Sequence, residues 1–217
     1  MTATKTANGL IKIMIADDHP IFRQGLIHTF SETVDIDVVG EVENGDDLLD
    51  QLIESGANLV LLDISMPGKS ALEVLKNLRT HHSDIPVLML SVYPEDQYAV
   101  RFIKTGASGY MTKESPAKEL IDAIRKIARG GKFASPHIIE KLAFEFSNTD
   151  KHPHETLSDR EFQVFNMIST GYSLTEIGEK LSLSVKTIST YRTRILEKMK
   201  MKKNAEIIHY AIQYNLT

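Results

Sequence analysis

Five short apolar runs, each followed by an amphipathic stretch, occupy the first 130 residues of the chain, and this alternation admits few folds. The strand-like runs are Ile11–Ala16, Val38–Val42, Leu59–Leu62, Pro86–Ser91 and Ser108–Met111, and the helix-like stretches cover about 20–32, 46–55, 70–81, 95–105 and 115–129. Strands alternating with helices build a parallel sheet covered on both faces. Five such units are the content of an α/β, flavodoxin-like, doubly wound domain of five parallel strands, in which ligands bind where the strands' carboxyl ends meet the loops. Chemistry is therefore expected just after each strand.

At 217 residues the chain has room for a second, smaller domain, and the pattern changes after residue 130. Gly130-Gly131 stops the fifth helix, because glycine supplies a left-handed cap without steric cost. Ser135-Pro136 then reads as N-cap and first position of a sixth helix running to about Phe146. Ser147–Thr156 is polar and reads as an interdomain linker, with His152-Pro153-His154 solvated rather than metal-binding for want of neighbouring ligands. From Ser158 onward everything is helical: a capping-box helix to Thr170 begun by Ser158 and Glu161, a second over about 174–181, a turn at Ser182–Ser184, a third over about 185–200 and a fourth over about 203–214. The boundaries read from these signals are 10–130, 131–156 and 157–217.

With no cysteine, disulfides and cysteine-ligated metal centres are excluded, which agrees with a reducing, cytoplasmic setting. The N-terminus is polar, and the first apolar run, Leu10–Ala16, is too short to cross a membrane and carries no cleavage pattern. The net charge of -4 is unevenly spread: residues 1–149 hold 15 Lys+Arg against 21 Asp+Glu, and residues 150–217 hold 10 against 8. Between Ser184 and Lys203 stand seven basic residues and one acid, Glu197. Such a stretch fits either a solvated helix face or a surface for polyanions.

Asp17 and Asp18 follow the first strand and Asp63 follows the third, its neighbour in a doubly wound sheet. Three carboxylates on one edge repel one another, so the arrangement is costly as pure structure. A hard divalent cation such as Mg2+, which takes a few carboxylates together with water and a phosphoryl oxygen, resolves the conflict. Ser91 ends the fourth strand and Lys113 follows the fifth, bringing a hydroxyl and an ammonium to the same rim. That set suits phosphoryl transfer to a carboxylate, where positioning and charge neutralisation do most of the work.

These residues, with Leu62-Asp63-Ile64-Ser65-Met66-Pro67-Gly68 and Gly106-Ala107-Ser108-Gly109-Tyr110-Met111-Thr112-Lys113, closely resemble the receiver domain of bacterial two-component response regulators over about residues 10–130. The resemblance implies that Asp63 accepts the phosphoryl group from a cognate histidine kinase. It also implies that Asp18 ligates Mg2+ directly, Asp17 through water and Ser65 through its backbone carbonyl. Ser91 and Tyr110 resemble the switch pair, the hydroxyl moving toward the phosphoryl group and the ring turning inward behind it. Many relatives carry threonine at the position of Ser91, which keeps the hydroxyl.

Leu157-Ser158-Asp159-Arg160-Glu161, Gly171-Tyr172-Ser173, Glu176-Ile177-Gly178, Leu181 and Ser184-Val185-Lys186-Thr187-Ile188 resemble the LuxR-type helix-turn-helix, which pairs with a receiver in the NarL/FixJ class of response regulators. In the helix from Val185, the spacing turns Val185, Ile188, Ile195, Leu196 and Met199 toward the core. Lys186, Thr187, Ser189, Thr190, Tyr191, Thr193, Arg194 and Lys198 form the candidate surface for double-stranded DNA. Among them Ser189, Thr190 and Thr193 are placed to read bases, and Lys186, Arg194 and Lys198 to hold phosphates. Glu197 departs from the basic residue common in relatives and is expected to pair with Arg194 at i-3. Ile207, Ile208, Ala211, Ile212 and Leu216 of the last helix suit either the domain core or a dimer interface; the resemblance favours a homodimer formed on phosphorylation.

Two other function classes remain to be weighed. A phosphatase of the haloacid-dehalogenase type needs a second acid two residues after its aspartate nucleophile, and this chain has Ser65 there, so an enzyme is not expected. A phosphorylation-independent DNA-binding regulator, using its receiver only to dimerise, has no need of the intact set Asp17, Asp18, Asp63, Ser91 and Lys113.

Overall fold

The computed structural model describes residues 9–82, 84–147, 152–214 and 216, and the chain divides into two compact units, Met1–Leu142 and Ala143–Thr217. In the first, strands β1 (Ile11–Ala16), β2 (Ile36–Val42), β3 (Leu59–Asp63), β4 (Val87–Ser91) and β5 (Gly109–Thr112) form one parallel sheet in the order β2-β1-β3-β4-β5. Helices α1 (Pro20–Ser31), α2 (Leu48–Ser55), α3 (Ala71–His81), α4 (Glu95–Lys104) and α5 (Ala117–Ala128) alternate with them, and α6 (Pro136–Ser147) follows. This is the doubly wound arrangement that the run pattern implies.

Because helices cover both faces, the central strands are buried along their whole length and carry apolar residues at consecutive positions. Ile13, Ile15, Leu59, Leu61, Leu88 and Leu90 share one face and pack with Phe30 of α1 and Ile124 of α5. Several element ends differ from the sequence reading. β2 starts two residues earlier, at Ile36, which is buried and pairs with Ile11 across the interruption made by Asp37. A register shift between Ile13 and Met14 lets Met14 face Gly40, where a Cβ would come 2.6 Å from the Met14 Cε. β4 starts after Pro86, which has no N–H to give a ladder. α2 starts at Leu48 because the Asn44 side chain accepts from the Asp46 and Asp47 N–H groups and holds a turn there. α5 starts after Pro116, whose ring disfavours helical backbone at Ser115.

The second unit contains α7 (Asp159–Ser169), α8 (Leu174–Lys180), α9 (Val185–Met199) and α10 (Asn204–Gln213). Ser158 and Glu161 close a capping box on α7, and Ser173 and Glu176 close a second on α8. α9 packs on α7 and α8, and α10 packs on α7, around Phe162, Phe165, Ile177, Ile188, Ile195 and Ile207. Residues 148–151 of the expected linker lie outside the described residues. Beyond them, Pro153, Glu155 and Thr156 are exposed within a 3-10 turn (Pro153–Thr156), whereas His152 and His154 are half-buried and His154 Nδ1 lies 2.9 Å from the Tyr210 hydroxyl. The His152 ring stacks on that of His154 with centroids 5.5 Å apart. Aromatic partners on α10, some fifty residues away, decide this, and a local reading of polar residues does not contain them.

Candidate functional site

The parallel register brings the strand ends level: Ala16 pairs with Leu62, Asp63 with Leu90 and Ser91 with Thr112. Asp17, Asp63, Ser91 and Lys113 therefore meet at one edge of the sheet although up to 96 residues separate them. Asp17 and Asp63 are buried and Asp18 is half-buried. The Lys113 ammonium lies 2.9 Å from Asp63 Oδ2, to which it donates, and 2.7 Å from Asp17 Oδ2. Its position is fixed further by the Phe22 ring, whose centroid is 4.9 Å from Nζ, and by the Lys113 N–H bond to the Ser91 carbonyl.

Burial is the largest influence on Asp63 and pushes its pKa up; Lys113 opposes the rise, and the Asp17 charge adds to it. Three carboxylates face one ammonium, and ligand atoms of Asp17, Asp18, His19 and Asp63 all lie within 4.8 Å of one another. Asp17 Oδ2 and Asp18 Oδ1 are buried and receive no aligned hydrogen bond. Oxygen-rich, under-neutralised and short of donors, these residues fit a hard cation of the magnesium type. Ser65 stands at the rim, where its N–H donates to Asp63, and its hydroxyl is buried without a hydrogen-bond partner.

Ser91 is fully buried, and its hydroxyl accepts from the Tyr93 N–H at 3.0 Å. Tyr110 already occupies the inward position: the residue is 2% exposed and its hydroxyl donates to the Tyr93 carbonyl at 2.9 Å. Burial drives the phenol well above its ordinary pKa, so the hydroxyl keeps its proton. Both members of the pair thus grip Tyr93, immediately ahead of α4.

Two residues at this edge escaped the sequence reading. His19 Nδ1 lies 2.8 Å from Asp18 Oδ1, 3.2 Å from Asp17 Oδ1 and 3.3 Å from Lys113 Nζ. Its place directly after Asp17-Asp18, in the same post-strand loop, was the available signal. Arg23 is buried beneath the loop with Leu26 and Phe30. Those three positions, spaced by three and four, form one helical stripe, and a cation on an apolar stripe marks a buried charge in need of partners.

On α9, Ile188, Ile195, Leu196 and Met199 are buried as their spacing requires, whereas Val185, expected to face the core, is 45% exposed at the start of the helix. Lys186, Ser189, Thr190, Thr193 and Arg194 are exposed. Thr190 and Thr193 donate their hydroxyls to the carbonyls of Lys186 and Ser189, so their oxygens are left chiefly as acceptors. Thr187 and Tyr191 are half-buried, and Thr187 belongs to the N-cap, where its N–H bonds Ser184 Oγ at 3.1 Å. Lys198 donates to Glu161 Oε2 at 2.5 Å, and its side chain is 41% exposed. Among the described residues no ion pair joins Glu197 to Arg194. Of the apolar residues expected on the last helix, Ile207 and Ala211 are buried, Ile208 is half-buried and Ile212 is 63% exposed, while Leu216, also buried, lies beyond the end of α10 at Gln213.

Comparison with known proteins agrees with both units. The family model described as the response regulator receiver domain matches residues 13–125, and that of the bacterial regulatory proteins of the luxR family matches residues 155–211. The chain is 34% identical over 209 residues to the response regulator GacA of Pseudomonas aeruginosa, covering 95% of this chain and 98% of that one. It is 32% identical to the response regulator UvrY of Escherichia coli K12, covering 95% and 96%. Among solved structures, RcsB of Salmonella enterica serovar Typhimurium bound to the promoter P1flhDC matches with a TM-score of 0.58 at 26% identity, over 94% of this chain and 98% of that one. The response regulator ChrA of a heme-sensing two-component system matches with a TM-score of 0.52 at 28% identity, over 96% and 100%. A receiver fold with its acidic strand-end edge, followed by a LuxR-type helical unit in a chain alignable almost end to end with GacA and UvrY, leads to one assignment: the chain belongs to the NarL/FixJ class of two-component response regulators, DNA-binding regulators of transcription.

Proposed function

We propose that Asp63 is the phosphoacceptor through which a histidine kinase controls binding of the second unit to double-stranded DNA. The observation that carries this reading is the buried Asp63 carboxylate at the sheet edge, 2.9 Å from the Lys113 ammonium and flanked by Asp17 and Asp18. An Asp63 oxygen attacks phosphorus, the P–N bond to the donor histidine breaks, and the imidazole nitrogen leaves with the bonding electrons. Lys113 neutralises charge gathering on the phosphoryl oxygens. Asp17, Asp18, Asp63 and the Ser65 carbonyl would hold Mg2+, which supplies charge neutralisation and alignment when bound. Ser91 then donates its hydroxyl to the new phosphoryl group and gives up the Tyr93 N–H, and Tyr110, tied to the Tyr93 carbonyl, carries the change to α4.

The proposed division is a receiver over 10–130, a connection over 131–156 and a DNA-binding domain over 157–217. The protein acts in the cytoplasm, with phosphorylation favouring a homodimer; no helix of the described residues is long and apolar enough to cross a membrane. Incubation with acetyl phosphate and Mg2+ is expected to add one phosphoryl group by intact mass and to tighten binding to an operator. Labelling with unchanged operator affinity would favour a receiver used only to dimerise, and steady phosphate release from added esters would favour an enzyme.

On α9, Ser189, Thr190 and Thr193 read bases while Lys186, Arg194 and Lys198 hold phosphates, with Thr187 and Tyr191 supporting the helix's entry. Thr193→Ala is expected to change preference at one operator position by about 1–3 kcal/mol. Lys186→Ala is expected to weaken all sequences alike and lower the slope of log affinity against log salt by roughly one. Equal loss of specific and non-specific binding in Thr193→Ala would reverse its assignment.

A further inference from the structure

We infer that Arg23 is a positioning residue for the acidic pocket, fixing the main chain of Asp17 so that its carboxylate and those of Asp18 and Asp63 converge on one cation. This deepens the function proposed above and rests on it. The guanidinium is buried, with a side chain 7% exposed, and all three of its nitrogens are engaged. Nη1 donates to the Asp17 carbonyl at 2.6 Å, Nε donates to Glu41 Oε2 at 3.0 Å, and Nη2 donates to Glu43.

The consequence for Asp17 follows from its other contacts. Its N–H donates to the Val42 carbonyl at 3.0 Å, so the peptide groups on both sides of the Asp17 α-carbon are tied to the end of β2, one directly and one through Arg23. Its side chain is tied as well, Oδ1 accepting from the His19 N–H at 2.8 Å. With main chain and side chain both fixed, Oδ2 is held toward Lys113 and Asp63 rather than toward solvent. A loop of two adjacent aspartates has strong reason to open, since their charges repel each other and Asp63. The fork geometry of arginine suits this task, because a planar group with several donors can bond a carbonyl and two separate carboxylates at once, and a lysine cannot. The two glutamates are 43% and 68% exposed at the side chain, so they serve mainly to hold and neutralise the guanidinium from the solvent side.

Groups that orient metal ligands without touching the metal are commonly worth about 10–100-fold in metal affinity. The test is a Mg2+ titration of the full-length protein with two readouts: the rise in thermal midpoint, which needs no phosphodonor, and the initial rate of phosphoryl uptake from acetyl phosphate. Arg23→Gln is expected to raise half-saturation on the order of tenfold in both. Arg23→Lys, which keeps the charge but loses the fork, is expected to stay close to Arg23→Gln. The double variant Glu41→Gln with Glu43→Gln, at exposed positions that carry little folding risk, is expected to fall between these and wild type, and it decides the question if Arg23→Gln does not fold. Unchanged half-saturation with a merely lower midpoint, or full rescue by lysine, would overturn the positioning role. A wild-type protein that neither responds to Mg2+ nor takes up phosphoryl groups would instead overturn the proposed function.

Discussion

Replacing Asp63 by asparagine is expected to abolish phosphoryl uptake from acetyl phosphate or a kinase while leaving the receiver folded. The amide is nearly isosteric and its oxygen can still accept from Lys113, but it has no anionic oxygen with which to attack phosphorus. Stability should not fall, and its pH dependence gives a second check. Asp63 is buried and its pKa is raised, so the folded protein holds that proton more tightly than the unfolded chain does. Between the unfolded carboxylate value and the raised folded value, stability is lost as pH rises, because ionising the buried group is opposed. Above that window the penalty is present in full. Asparagine never ionises, so at neutral pH without divalent cations Asp63→Asn should melt at or above the wild-type temperature, while Lys113 keeps Asp17 as its partner. A stable phosphoryl label on the purified variant would move the acceptor elsewhere. A large drop in melting temperature would mean that the Asp63–Lys113 pair contributes more than burial of the carboxylate costs.

The parts of this architecture that were legible in the sequence are those written in local periodicity. Runs such as Leu59–Leu62 with turn residues behind them define strand and helix, and once the strand order is assumed, Asp17, Asp63, Ser91 and Lys113 all fall at one edge. What local patterns omit is pairing across distance. Ile36 joins β2 only because Ile11 lies opposite it. No spacing pairs Lys198 with Glu161, which α7 brings to its ammonium, and His154 looks solvated until α10 brings Tyr210. Arg23 was the exception in kind: its signal was local, a charge on the stripe of Leu26 and Phe30, but its partners Glu41 and Glu43 lie on and just beyond β2, and no spacing rule links them to it.

Gly178→Ala is expected to impair DNA binding more than tenfold while leaving phosphoryl uptake intact, although alanine is the better helix former. Gly178 lies inside α8, where exchanging glycine for alanine ordinarily gains about 0.5–1 kcal/mol. Here the chain turns back at Leu181–Ser184, with Ser182 in the left-handed region at φ 53°, and the Leu183 N–H donates to the Gly178 carbonyl at 2.8 Å. A Cβ on Gly178 would stand 2.7 Å from the Leu183 carbonyl oxygen. That neighbour is backbone and cannot rotate away, so the turn itself must move, and α9 begins only two residues later at Val185. Overpacking of this kind costs about 1–3 kcal/mol, which cancels the propensity gain and tilts the recognition helix as well. A displacement that loses one good base contact weakens binding by a further 1–3 kcal/mol or so, and about 1.4 kcal/mol is already tenfold. Gly25 supplies the control. It too is helical, in α1, but an added Cβ there meets nothing within 4 Å, so Gly25→Ala should stabilise the receiver by about 0.5–1 kcal/mol. Opposite signs at two helical glycines, read as urea midpoints of the two units and as operator affinity, would trace the requirement for glycine at 178 to the Leu183 carbonyl. Operator affinity retained in Gly178→Ala would show that the turn can yield without moving α9.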